Sequence, residues 1–155
     1  MNAKTIAFWG MRAVVAVVFI GMGALPKLQA DPISVELFER VGLGPAEAMM
    51  YATGLMELIA GVMIVVPMKA VSLSGALLAV GVMGGAIFSH LFTPLGVMPE
   101  FTDPATGEAF TMPGFPIAIV LALFSAAIAV ENYRACKACK LRQAGEAPAG
   151  ETAEG

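Results

Sequence analysis

Four uninterrupted apolar runs decide what this chain can fold into. Residues 5–25 carry Arg12 as their only charge, and residues 48–66 carry Glu57 alone. Residues 70–92 contain no Asp, Glu, Lys or Arg, with His90 near the end. The fourth run, residues 115–130, extends through Glu131 to Tyr133. A bilayer core of about 30 Å needs roughly 20 residues of helix, with a range of about 17–25. Three runs meet that length outright and the fourth meets it with its flanks. Barrel strands are about 10 residues long and alternate in polarity, so helix is the only reading.

Composition agrees. Of 155 residues, 58% are hydrophobic and 14% charged, against about 45–50% and about 25% in soluble domains. A soluble domain of this size still exposes about 30% of its unfolded surface, too much to keep such a chain in water. The expected fold is all-α: an integral membrane bundle of four helices at about 46–67, 70–92 and 114–133 after a first span at 5–25. The four-helix domain occupies residues 1–142, and residues 143–155 form an acidic tail expected to be disordered. The first run exceeds the h-region of a signal peptide and contains Arg12, so it is read as a retained span.

Loop charges set the orientation. Lys4 precedes the first span, Lys69 lies in the short second connection, and Arg134, Lys137, Lys140 and Arg142 follow the last. The other two loops lean acidic: residues 26–47 have two bases and four acids, and residues 93–114 have three acids and no base. Basic loops stay in the cytoplasm. The reading is a multi-pass protein of the cytoplasmic (inner) membrane with both termini cytoplasmic. In the first outer loop, Val35, Leu37, Phe38 and Val41 alternate with Glu36, Glu39 and Arg40, the pattern of a short amphipathic helix. In the second, Phe101 and Phe110 flank Asp103-Pro104-Ala105-Thr106-Gly107, a turn signal that fits a small hairpin, with a disordered loop as the alternative.

Function is sought among polar groups inside the spans, since a buried charge costs about 2.5–3.5 kcal/mol on insertion scales. Centring each run in the bilayer puts Glu57 at the midplane and Arg12 roughly 5 Å to the cytoplasmic side, within reach of each other. Glu57 lies among Thr53, Gly54, Ala60 and Gly61 at i±3 and i±4, a tightly packed helix face. His90 continues a stripe of Gly75, Ala79 and Ala86. Each has a structural alternative: Arg12 may be read as snorkelling to headgroups, Glu57 as a structural partner of Arg12, and His90 as a packing residue. Gly81 and Gly85, on the face opposite His90, are expected to make a contact within the bundle. Lys27, Glu47 and His90 fall at similar depth near the outer end. A pocket lined by Lys27, Glu57 and His90, with Glu47 at the mouth and the Phe101–Phe110 loop as lid, is expected there.

Cys136 and Cys139 form a CxxC just past the fourth span. The spacing suits a dithiol couple, and Lys137 and Lys140 favour thiolate. A metal site would need two further ligands, so none is assigned. It is not a haem attachment motif, since Lys140 stands where histidine is required.

The order of these features resembles the DoxX/DoxD-like family of four-helix membrane proteins. Arg12, Phe19, Gly23 and Lys27 are similar to its basic-Phe-Gly-Lys opening, Gly54-Leu55-Met56-Glu57 to its Gly-x-x-Glu, and Met83-Gly84-Gly85-Ala86 leading to His90-Leu91 to the end of its third helix. The turn before Phe110 also fits, and the resemblance covers roughly residues 6 to 133. It implies a membrane subunit of a quinone-linked oxidoreductase, of the thiosulfate:quinone type, with Arg12, Lys27, Glu57 and His90 lining a polar interior. Cationic Arg12, Lys27 and His90 would hold an anion and Glu57 would accept a proton from a quinol. No intrinsic cofactor motif is present, so a bound quinone and a redox partner subunit are expected. A homo-oligomer is left open and no nucleic acid is expected. The alternatives are a non-enzymatic assembly or scaffolding protein and, from another class, a small-molecule or ion carrier.

Overall fold

A computed structural model describes residues 3–145, and in it four helices are long and apolar enough to cross a membrane. The first span, Thr5–Leu28, is built from three pieces: α1 (Ala3–Val17), a π-helical stretch (Val18–Ala24) and α2 (Leu25–Leu28). Pro26 explains the widening. Its ring would collide with the carbonyl four residues back and it has no N–H to donate. The helix loosens ahead of it, and the Leu25 N–H reaches back five residues to the Ile20 carbonyl.

Pro32–Val41 forms α3, the amphipathic helix expected in the first loop. Asp31 caps it by accepting from the N–H groups of Ile33 and Ser34, and Pro32 occupies its first turn. Gly42 ends it in the left-handed conformation at φ 66°. α4 (Ala46–Val65) and α5 (Lys69–Phe92) follow, joined by a short turn. The expected hairpin is present: β1 (Glu100–Thr102) pairs antiparallel with β2 (Ala109–Thr111), with Phe101 opposite Phe110. Asp103 organises the turn, its carboxylate accepting from the Ala105 N–H at 2.7 Å. α6 (Gly114–Gly145) runs past the expected end of the span and through Gly145. The rest of the acidic tail, from residue 146, lies outside the described residues.

The bundle is tightest in the half that carries the termini. Val15, Ile64, Ala76, Ala79 and Ile128 are fully buried there. Small residues let the helices close: a Cβ on Gly75 would lie 2.6 Å from Met63 Cβ and 3.0 Å from the Ile64 backbone nitrogen. G75A is therefore expected to cost about 1–3 kcal/mol through overpacking. G84A, with nothing within 4 Å, is expected to gain a few tenths from helix propensity. Thermal melting in detergent would separate the two, and equal midpoints would deny a close α4–α5 contact.

At the opposite end, α3 and the hairpin form a cap. Val41, Leu95 and Phe101 make a second buried cluster, with Ile33, Leu37 and Met112 against it. Arg40 fastens the two parts: it stacks on the Phe101 ring at 4.7 Å, donates to the Glu100 carbonyl at 2.8 Å and pairs with Glu36. Gly81 and Gly85 make no contact within the bundle, contrary to expectation. Nothing lies within 4 Å of a Cβ added to either, and both are exposed on the helix surface.

Candidate functional site

The buried polar groups form two separate sets. In the capped half, Lys27 Nζ lies 2.7 Å from Glu57 Oε2 and donates to the Gly23 carbonyl at 3.1 Å. An ammonium has three donors, so one remains to point elsewhere. Glu57 is 4% exposed. His90, also buried, faces the Gly96 carbonyl with Nδ1 at 2.7 Å. A carbonyl only accepts, so Nδ1 donates to it, and in the Nδ1–H tautomer Nε2 is an acceptor. Phe115 packs edge-on against the same imidazole.

Three glycines shape the room around these groups. A Cβ at Gly23 would sit 2.8 Å from Glu57 Oε2, one at Gly54 would sit 3.0 Å from Lys27 Cβ, and one at Gly114 would sit 2.9 Å from His90 Nε2. The expected density of small residues beside Glu57 is thus real, with Gly54, Ala60 and Gly61 all buried. Gly114 escaped the sequence reading, since a glycine after proline at a helix start reads as a cap.

The second set lies in the terminal half. Arg12, fully buried, donates to the Val66 carbonyl at 3.2 Å and to Ser72 Oγ. Ser72 in turn donates to the Ile64 carbonyl at 2.9 Å and accepts from Asn132 Nδ2 at 2.9 Å. The guanidinium stacks on Trp9 at 4.5 Å and Phe8 at 5.3 Å. This corrects the expected Arg12–Glu57 pair. Glu57 faces Gly23, eleven positions beyond Arg12 and so roughly 16 Å further along the helix. The first span continues to Leu28, which moves its centre away from Arg12. The Lys27 stem also folds back one turn and reaches Glu57 instead. Ser72 and Asn132 went unnoticed in the sequence, although a polar residue within a span is the same signal that singled out Arg12.

The capped half contains a cavity of about 810 Å³, inside the range of about 300–1,000 Å³ usual for small-molecule sites. Lys27, Glu57 and His90 all line it. The rest of its wall is largely apolar, from Phe19, Phe38, Met83, Ala118 and Leu121 among others. A space lined by Lys27, Glu57 and His90 is therefore present, roofed by α3 and by Leu95 and Met112, while Phe101 and Phe110 of the expected lid do not line it. Glu47 takes no part: it is exposed in the first turn of α4, where its charge favours the helix N-terminus. Arg12 is absent from the lining as well. Cys136 and Cys139 are free thiols on α6, half-buried and exposed respectively, and neither lines the cavity.

Because Glu57 sits in the cavity wall with a cationic partner, its shape and its hydrogen bonding are separable. Glu57→Gln is expected to be better tolerated for folding than Glu57→Leu, since the amide still accepts from Lys27, whereas leucine leaves that ammonium only the Gly23 carbonyl. Expression and melting in detergent would show it; equal behaviour of the two variants would contradict the pairing.

No curated protein and no solved structure matches the chain. The sequence profile of the DoxX-like family matches residues 11–123, a stretch that holds Arg12, Lys27, Glu57, His90 and all three glycines but not the cysteine pair. With that match over most of its length, and with four apolar helices of spanning length, the chain belongs to the DoxX-like family of membrane proteins.

Proposed function

We propose that this protein is the membrane subunit of a quinone-linked oxidoreductase and that its cavity is the quinone site. The observation that carries the reading is a largely apolar chamber whose wall holds three polar groups, the Lys27–Glu57 pair and His90. A quinone has the same division, with carbonyl oxygens on the head and hydrocarbon elsewhere. Quinone supplies two-electron, two-proton chemistry. The remaining Lys27 donor would bind a head-group carbonyl, His90 Nε2 would accept from a quinol hydroxyl, and Glu57 would take up or return a proton while Lys27 holds its charge. The electrons come from a partner subunit. Thiosulfate as their source rests on the family resemblance alone. By its loop charges the protein lies in the inner membrane, with both termini cytoplasmic and the capped half outward.

Purification in mild detergent followed by mass spectrometry is expected to recover an isoprenoid quinone with the wild type and much less with Glu57→Gln. A quinone-free protein that binds none when it is added in nanodiscs, yet retains a tight protein partner, would instead support an assembly role. The carrier alternative is disfavoured by the terminal half, where Arg12, Ser72 and Asn132 interlock with fully buried Ile64 and Ile128.

A further inference from the structure

We infer that the cavity is reached sideways from the bilayer, between α4 and α5, so that it selects molecules with a polar head and a long hydrocarbon tail. The choice of a quinone head rests on the reading above; the route does not. Toward water the cavity is roofed by the buried apolar cluster of Val41, Leu95 and Phe101, clamped by Arg40, with Leu43 at its edge. The direction toward the terminal half is closed by the Arg12 network. Sideways, the lining includes residues that are themselves exposed on the bundle surface. Leu77, Gly81, Gly85 and Phe88 share one outward face of α5, and Met56 stands across from them on α4.

The two glycines make the opening. α4 and α5 touch at Gly75 near their connecting turn. Further along, Gly81 and Gly85 contribute no side chain to close the gap. Leu77, Gly81, Gly85, Phe88 and Met56 line the cavity and are exposed at once, as the rim of a passage between the two helices would be. Lys27, Glu57 and His90 line the interior, and the portal side chains are hydrocarbon or thioether. A head group therefore meets Lys27, Glu57 and His90 while its tail remains in the portal and the lipid. A second, smaller cleft of about 340 Å³ lies between the first span and α6. It shares Val18, Met22, Ile117 and Leu121 with the cavity wall, and Val120 and Phe124 also line it. Bulky side chains on both of its walls make it the poorer passage.

The portal can be tested without any quinone. Protein in phosphatidylcholine vesicles whose acyl chains end in a diazirine is irradiated, and adducts are mapped by peptide mass spectrometry. Wild type is expected to carry adducts on the buried wall residues Met83 and Ala118, which do not line the other cleft. G81W and G85W are expected to lose at least nine-tenths of them. G84W, on the same helix but outside the lining, and V120W, in the other cleft, are expected to keep them. G81L is a milder plug, and melting curves check that each variant is folded. An unlabelled interior in wild type, undiminished labelling in folded G81W, G81L and G85W, or loss in V120W instead would overturn the portal. Interior labelling that the plugs abolish, with no quinone bound by wild type, would leave the portal standing and overturn the quinone reading.

Discussion

K27M is expected to destabilise the bundle by about 3 kcal/mol and to abolish ligand binding. The cost comes from the carboxylate left behind. Lys27 Nζ is the cation 2.7 Å from Glu57 Oε2, and both side chains are largely enclosed, at 16% and 6% exposed. Removing one member of a buried pair leaves an uncompensated charge, which typically costs about 3–5 kcal/mol. Membrane insertion scales give about 2.5–3.5 kcal/mol for such a charge. The control is the double variant K27M/E57Q, which removes both charges and should recover more than half of the loss. Unfolding in detergent measures the cycle. If the double variant is no more stable than K27M alone, the pair does not account for the cost. Binding should stay lost in the double variant, because the donor to the head group is gone whether or not the fold recovers.

His90→Ala is expected to lower quinone affinity at least tenfold while leaving most of the stability intact. One lost hydrogen bond of about 1.4 kcal/mol corresponds to a factor of ten. The imidazole also holds the Gly96 carbonyl, so some loosening of the turn after α5 accompanies the substitution. His90→Asn separates the two contributions, since a side-chain amide can still donate toward that carbonyl but does not reproduce the Nε2 acceptor. The turn should be restored and the affinity should not. Binding and stability falling together in both variants would make His90 a packing residue. G114A tests the same atom from the other side: its Cβ would lie 2.9 Å from Nε2, so it should weaken binding with His90 still present.

Four membrane-spanning helices, an amphipathic helix at the first loop and a hairpin at the second were all legible in the chain itself. Each depends on a local physical demand. Lipid requires every backbone polar group to be satisfied within the segment, which makes a long apolar run a helix. Asp31-Pro32 and Gly42 mark the ends of α3 by capping chemistry, and Asp103 to Gly107 mark a turn. The polar residues that matter were legible for the same reason: a charge or imidazole inside a span is costly enough to stand out. Their partners were not. Whether Glu57 meets Arg12 or Lys27 depends on where the first helix stops and on how far it slides against α4. Pro26, the π-helical stretch and a flexible lysine stem together settle that register. The Gly81–Gly85 pair shows the same limit, because small residues permit either a tight contact or an opening. Which one forms depends on the angle at which α5 leaves Gly75. Composition and spacing thus determine segments and the residues within them that cannot face lipid. Depth, pairing and empty space are relations between segments, and only their packing decides them.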